Sequence, residues 1–224
     1  MPGAPLLEFH RVSLRDGEIP VLTEVSLTVH EAEIVGVVFQ HGIGKTSLLY
    51  IGAGLMPPTA GEVVYRGRRI AELPKTPPKL GFVFEDDGGL LENTSVFDNV
   101  ALPLRFHLEL EEKEVARKVE EVLSLVGMEE QAGRFPWQLT GDRQRLVALA
   151  RALVYEPELV FVDDFFLGAD ADAFRRMQEA ISLAREAHET AFLLVMEASA
   201  ADFGVADRLC LVDHGAVLEL ERDG

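Results

Sequence analysis

Cysteine is almost missing from this 224-residue chain; Cys210 is the only one. It lies in an apolar run, so neither a disulfide framework nor a cysteine-built metal centre can form within the chain. Such usage agrees with a reducing compartment. Positive charge is also scarce. There are 21 Lys and Arg against 38 Asp and Glu, giving a net charge of −17. That balance argues against an electrostatic grip on DNA, RNA or an anionic lipid surface. It leaves open one nucleotide held in a local nest of backbone N–H groups. No apolar run approaches the length of a membrane span. The start of the chain lacks a basic segment followed by an apolar core, so no secretory signal is expected. The six histidines are scattered without metal-ligand spacing. Trp137 is the single tryptophan and is expected to be a packing residue of a helical subdomain rather than a ligand platform.

What is present is organised around residues 31–49. An apolar strand from Ile34 to Phe39 runs into a glycine-containing turn, followed by Lys45, Thr46 and an apolar helix. This is the layout of a phosphate-binding loop. Gly42 and Gly44 let backbone N–H groups line a concave nest, and the following helix presents its positive end to an anion. The candidate nucleotide-binding residues are Gly42, Ile43, Gly44, Lys45, Thr46 and Ser47. Lys45 is expected to reach the β- and γ-phosphates of ATP, with the Thr46 hydroxyl on magnesium. The pattern G-x-x-x-x-G-K-[ST] departs at its first position, where Phe39 stands. A Phe39 forced into a glycine-like backbone would carry strain of about 1–3 kcal/mol.

Alternating apolar and polar residues over 6–14 and 20–29, around Asp16 and Gly17, predict two antiparallel strands. Residues 61–70 read as a hairpin turning at Arg66 and Gly67, and Leu80 to Phe84 as a short strand. Residues 95–155 look helical, with an apolar stripe at Val115, Val119, Val122, Leu123 and Val126. Strands return at Leu159–Val162, Ala191–Met196 and Arg208–Val212, with a helix over 171–188 and a last strand beyond Gly215. The expected fold class is α/β: a P-loop core with an antiparallel β subdomain and an inserted helical subdomain. The expected boundaries are 1–85 and 156–224 for the core and 86–155 for the helical part.

With these pieces in order, the sequence resembles the ATP-binding subunit of an ABC transporter over nearly its whole length. Besides the loop, the resemblance rests on three stretches: Gly81–Glu85, where the glutamine loop begins; Gln138–Leu153, at the signature motif and its helix; and Leu159–Asp164, a hydrophobic strand ending in acids as in Walker B. Within the family it looks most like the ATPases of MCE-type (Mla) lipid transport systems. The pointers are Gly42–Thr46, Ser95–Arg105 and Phe166–Asp170.

The resemblance implies roles, and the residues present alter several of them. Asp163 takes the magnesium side. Asp164 stands where the family has its catalytic Glu, one methylene shorter, and misplacement by about 1 Å can cost roughly a hundredfold in rate. Glu85 replaces the glutamine and joins Thr46 and Asp163 as a candidate magnesium ligand. Glu197 replaces the switch histidine. Each carboxylate near a γ-phosphate at about 4 Å and an effective dielectric of about 20 opposes it by roughly 4 kcal/mol. The signature becomes Leu139, Thr140, Gly141, Asp142 and Arg143, with negative charge where glycine allows close approach. The adenine-stacking ring expected near Leu14 to Asp16 is missing.

Both halves of a composite site are therefore altered in one chain. The leading expectation is a degenerate nucleotide-binding subunit of a lipid transporter, with possible ATP and magnesium binding, weak or no hydrolysis, and a structural or regulatory role. It implies a permease partner, a homodimer or heterodimer, no nucleic acid, no direct membrane insertion, and a cytoplasmic place beneath a membrane. The rivals are a working ATPase using Asp164 or Glu197 as base, and a stand-alone interaction module.

Overall fold

The computed structural model describes residues 3–39, 43–73, 80–85, 88–197, 204–213 and 216–220. Two sheets form its frame. Strands β1 (Pro5–Asp16) and β2 (Ile19–His30) make the expected antiparallel hairpin. β1 also pairs with β4 (Ala60–Tyr65), which turns at Arg66 and Gly67 into the two-residue β5 (Arg68–Arg69). This gives a four-stranded sheet in the order β2-β1-β4-β5.

The second sheet has six strands. β3 (Ile34–Phe39) lies between β8 (Ala191–Glu197) and β9 (Arg208–Asp213), and β7 (Leu159–Asp163) and β6 (Leu80–Val83) continue beyond β8. These five run parallel, while β10 (Ala216–Leu220) closes the far edge antiparallel to β9. Parallel strands are buried on both faces and so are apolar at nearly every position. β3, with all six residues buried, follows that rule.

Successive residues of this sheet feed two separate cores. Val35, Val37, Phe39, Phe161, Leu193 and Val195 face the antiparallel sheet and α1 (Lys45–Gly52). Ile34, Val38, Val160, Val162, Phe192 and Leu194 face the other helices. Those helices are α2 (Val96–His107), α3 (Glu112–Leu125), α4 (Gly141–Leu153) and α5 (Ala171–His188). The predicted stripe of α3 is buried from Val115 to Val126.

Local chemistry sets the ends. The Ser95 hydroxyl accepts the Asp98 N–H at 3.0 Å and caps α2. The Asp170 carboxylate accepts the N–H groups of Asp172 and Ala173 at 3.0 and 2.8 Å and caps α5. Fully buried Asn99 ties the segment before α2 to the helix, donating to the Leu91, Thr94 and Ser95 carbonyls and accepting the Leu91 N–H. The entrance to β3 is fixed from a distance. The Ile34 N–H donates to the Asp207 carboxylate at 2.8 Å, the Asp207 N–H returns to the Ile34 carbonyl at 2.8 Å, and the Phe192 N–H donates to the Glu33 carbonyl at 2.9 Å.

Candidate functional site

The parallel strands deliver their last residues to one edge, the usual place for a ligand in such sheets. β3 ends at Phe39, which stands in register with Glu197 of β8 and Val212 of β9. The ring of Phe39 is buried in the core facing α1, and its backbone belongs to the strand ladder. Phe39 is not among the residues with positive φ, so the strain considered for it does not arise. Of the loop that follows, Gly42 lies outside the described residues. Ile43 is exposed, and Gly44 is the N-cap of α1 with φ +95°. A Cβ on Gly44 would stand 3.0 Å from Leu22 and 3.1 Å from the Val21 carbonyl, so the loop is packed against β2 and needs glycine there.

From α1, two side chains reach the end of β7. The Lys45 ammonium donates to the Asp164 carboxylate, and both groups are buried. The Thr46 hydroxyl donates to Asp163 Oδ2 at 2.6 Å. Ser47 is half-buried in the same first turn. The other oxygen of Asp163, Oδ1, is buried without a hydrogen-bond partner. An orphaned carboxylate oxygen beside a hydroxyl suits a hard divalent cation, so Thr46 and Asp163 fit magnesium.

Burial pushes Asp163 up to about 6; the charges of Asp164 and Glu85 add to the rise, and the Thr46 hydrogen bond and the Lys45 charge oppose it. Glu85 is exposed just beyond β6 and acts on Asp163 through its charge. Among the described residues, no group of three or more His, Cys, Asp or Glu converges to hold a metal alone. Glu197 is placed by its backbone beside Phe39, and its side chain lies outside the described residues.

Strain sits at Asp164. Its φ is +44°, uncommon for a residue with a side chain, and its N–H donates to the Val195 carbonyl at 3.0 Å. The chain thus turns sharply off β7 and aims the carboxylate back at Lys45.

The stretch Leu139 to Arg143 forms the start of α4, with Thr140 as N-cap and Leu139 buried. Asp142 is turned towards Arg176 of α5, 3.4 Å away. Burial alone would raise its carboxyl, but hydrogen bonds from Thr140, Arg176 and the first N–H groups of α4 outweigh this and hold it below its ordinary value. Arg176, remote in sequence, therefore offsets part of the charge that the altered signature introduces.

Other residues escaped the sequence reading. Arg145 of α4 donates to the Phe165 and Leu167 carbonyls at 2.8 and 2.5 Å, holding the segment after Asp164. Arg151 donates to the Gly88 and Gly89 carbonyls at 2.6 and 2.7 Å. Nothing in their spacing marks them, since arginines on a helix ordinarily read as solvated surface. The expectation for Trp137 is corrected: it is 67% exposed, because the helical core is already filled by aliphatic side chains.

Comparison with known proteins agrees with this fold. A family model described as ABC transporter matches residues 22–166. The sulfate/thiosulfate import ATP-binding protein of Pectobacterium atrosepticum is 30% identical over 217 residues, 96% of this chain and 66% of that protein. Its namesake in Chromobacterium violaceum is 36% identical over 208 residues, 91% and 58% of the two chains. The spermidine/putrescine import ATP-binding protein of Thermotoga maritima is 31% identical over 203 residues, 91% and 55%. The chain therefore spans between about half and two thirds of the length of these relatives. Among solved structures, a dimeric ATP-binding cassette in a post-hydrolysis state with ADP and phosphate superposes with a TM-score of 0.84 at 26% identity, over 98% of this chain and 100% of that one. The CbiO1 component of an ABC transporter complex from Clostridium perfringens gives a TM-score of 0.84 at 18% identity, over 96% and 87%, a likeness of fold.

Proposed function

The chain belongs to the ABC transporter family, and from that membership we propose that it is the nucleotide-binding subunit of a transporter, with slow or absent hydrolysis. The carrying observation is the bonded cluster of Lys45, Thr46, Asp163 and Asp164 at the end of the parallel sheet. Lys45 and the nest behind it would bind the phosphates of ATP, and Thr46 with Asp163 would hold magnesium. When bound, magnesium-ATP supplies a terminal phosphoryl group open to attack by water. Asp164 takes the position from which this family polarises that water. Its carboxylate instead neutralises Lys45, and Glu85 and Glu197 add negative charge where the family has neutral groups. That combination supports binding over turnover.

The partner in this reading is a membrane permease. A cavity of about 480 Å³ lined by Phe82, Phe84, Leu102, Phe106 and Tyr155 opens between β6, α2 and the end of α4. Its apolar lining suits a short segment of such a permease. We assign 86–155 as the helical subdomain forming one wall, and the rest as core. The relatives named above carry unlike cargo in their names, an inorganic oxyanion and polyamines. For this chain we take phospholipid as cargo, on the stretches Gly42–Thr46, Ser95–Arg105 and Phe166–Asp170.

The test is a thermal melt with and without magnesium-ATP, alongside phosphate release, for the protein and Lys45→Ala. Stabilisation of about 2.7 kcal/mol is expected at a hundredfold excess over Kd, lost in Lys45→Ala, with phosphate release near that of the variant. Rapid release that falls in Asp164→Asn would make the protein a working ATPase instead. No shift at millimolar ATP would leave an interaction module.

A further inference from the structure

The ammonium that a nucleotide phosphate would need is already engaged by a carboxylate of the chain. Lys45 donates to Asp164, and the two residues are only 6 and 4% exposed. At that burial a phosphate cannot simply join the pair from outside. It reaches the ammonium by taking the place of the carboxylate. Carboxylate and phosphate oxygens accept the same charge-assisted hydrogen bond from a cation, so one can stand in for the other.

Asp164 is held in this place by its surroundings. Its φ of +44° is uncommon for a residue with a side chain. Its N–H donates to the Val195 carbonyl at 3.0 Å, and the Leu167 N–H donates back to the Asp164 carbonyl at 3.0 Å. Phe165 and Phe166, which follow it, are buried in the core facing the helices, and the Phe166 ring lies 4.7 Å from that of Phe174 on α5. From α4, Arg145 Nη1 donates to both the Phe165 and the Leu167 carbonyls, at 2.8 and 2.5 Å. Arg145 thus clasps the segment from another element, through a side chain that can be changed without altering Lys45 or Asp164.

We infer that Asp164 is an internal competitor for the phosphate position on Lys45, and that Arg145 is the positioning residue that keeps it there. This rests on the nucleotide-binding reading above and adds what sets the affinity of that site. Nucleotide binds the fraction of molecules in which Asp164 has left Lys45, and its apparent affinity is lowered by that fraction.

The test is equilibrium dialysis of labelled magnesium-ATP against the unaltered protein, Asp164→Asn and Arg145→Met, each first checked for folding by circular dichroism. Magnesium-tripolyphosphate is the unlabelled competitor that lacks a base. Asparagine keeps the size of the side chain and tolerates a left-handed backbone while removing the anion. A minor state is commonly about 0.1–10% populated, so Asp164→Asn should bind ATP roughly 10- to 1,000-fold more tightly. Arg145→Met should also bind more tightly. The direction of that second change is decisive. Arg145 is a cation, so its loss would weaken the binding of an anion through the electrostatic field alone. Release of Asp164 strengthens it. Tripolyphosphate should gain in step with ATP in both variants, because the contest is for a phosphate.

Asp164→Asn binding no more tightly than the unaltered protein overturns the competitor and leaves nucleotide binding standing. So does a gain for ATP that tripolyphosphate does not share. A gain in Asp164→Asn with none in Arg145→Met reduces the effect to charge repulsion and overturns the clasped competitor. Should Asp164→Asn fail to fold, the sign of the change in Arg145→Met decides alone. Absence of ATP binding to all three proteins overturns the nucleotide-binding reading and this inference with it.

Discussion

Asp164 combines a left-handed backbone with a buried carboxylate, and Lys45 is what makes that position tolerable. Removing one partner of a buried pair takes this counter-ion from the other charge, typically at about 3–5 kcal/mol. Asp164→Ala should therefore destabilise the protein by about that much. A double variant that also carries Lys45→Met should lose clearly less than the sum of the two single variants, read from urea unfolding. A second residue-scale effect belongs to Glu33. Burial would raise its carboxyl, but hydrogen bonds from Arg208, the His30 backbone and the His30 ring, with the Arg208 charge, hold it below its ordinary value. Its contribution to stability is complete above the unfolded carboxylate range and is lost as pH falls through the lowered folded value. Urea midpoints taken from pH 6 downward should fall less steeply for Glu33→Gln than for the unaltered protein. The site was legible where chemistry imposes spacing, as for Lys45, Thr46 and the acids closing an apolar strand. The pairing of Lys45 with Asp164 was not, because 119 positions separate them and only the strand order brings them together.

Among the elements, the segment after β6 is closely interlocked with α4. Gly88 has φ +69°, and a Cβ there would lie 2.1 Å from the Ala148 Cβ on α4. Gly88→Ala should destabilise by about 1–3 kcal/mol through overpacking alone, more with the backbone conformation added. It should also raise hydrogen exchange around residues 88–91, where Arg151 and Asn99 hold the chain. Secondary structure was readable where one periodicity ruled. Alternation marked β1 and β2 on either side of Asp16–Gly17, and the uniformly apolar runs marked the central strands. The helical region read as one block because Leu108 to Glu111, between α2 and α3, holds no turn residue, although Gly127, Gly133 and Pro136 punctuate the longer segment before α4. Its division into α2, α3 and α4 is set by packing against the sheet and against each other, which no local pattern carries.

At the scale of the molecule, surfaces separate cleanly by composition. The chain is strongly acidic, yet the cavity beside α2 is lined mainly by aromatic and aliphatic groups, with Phe106 81% exposed at its rim. Phe106→Glu should change thermal stability by no more than about 0.5 kcal/mol, as exposed substitutions usually do. It should abolish co-purification with a permease from detergent-solubilised membranes. The arrangement of the central sheet carries a last consequence, for synthesis. β3 finds the group that fixes its entrance, Asp207, 173 positions later. At about 5–20 residues per second, roughly 10–35 s pass between the two leaving the ribosome. For most of that interval β3 lacks its partners within the sheet, since β8 and β9 are made long after it. A nascent chain of this kind is a natural client for chaperones, and its yield in a cell should respond to their supply before it responds to the strength of any single contact.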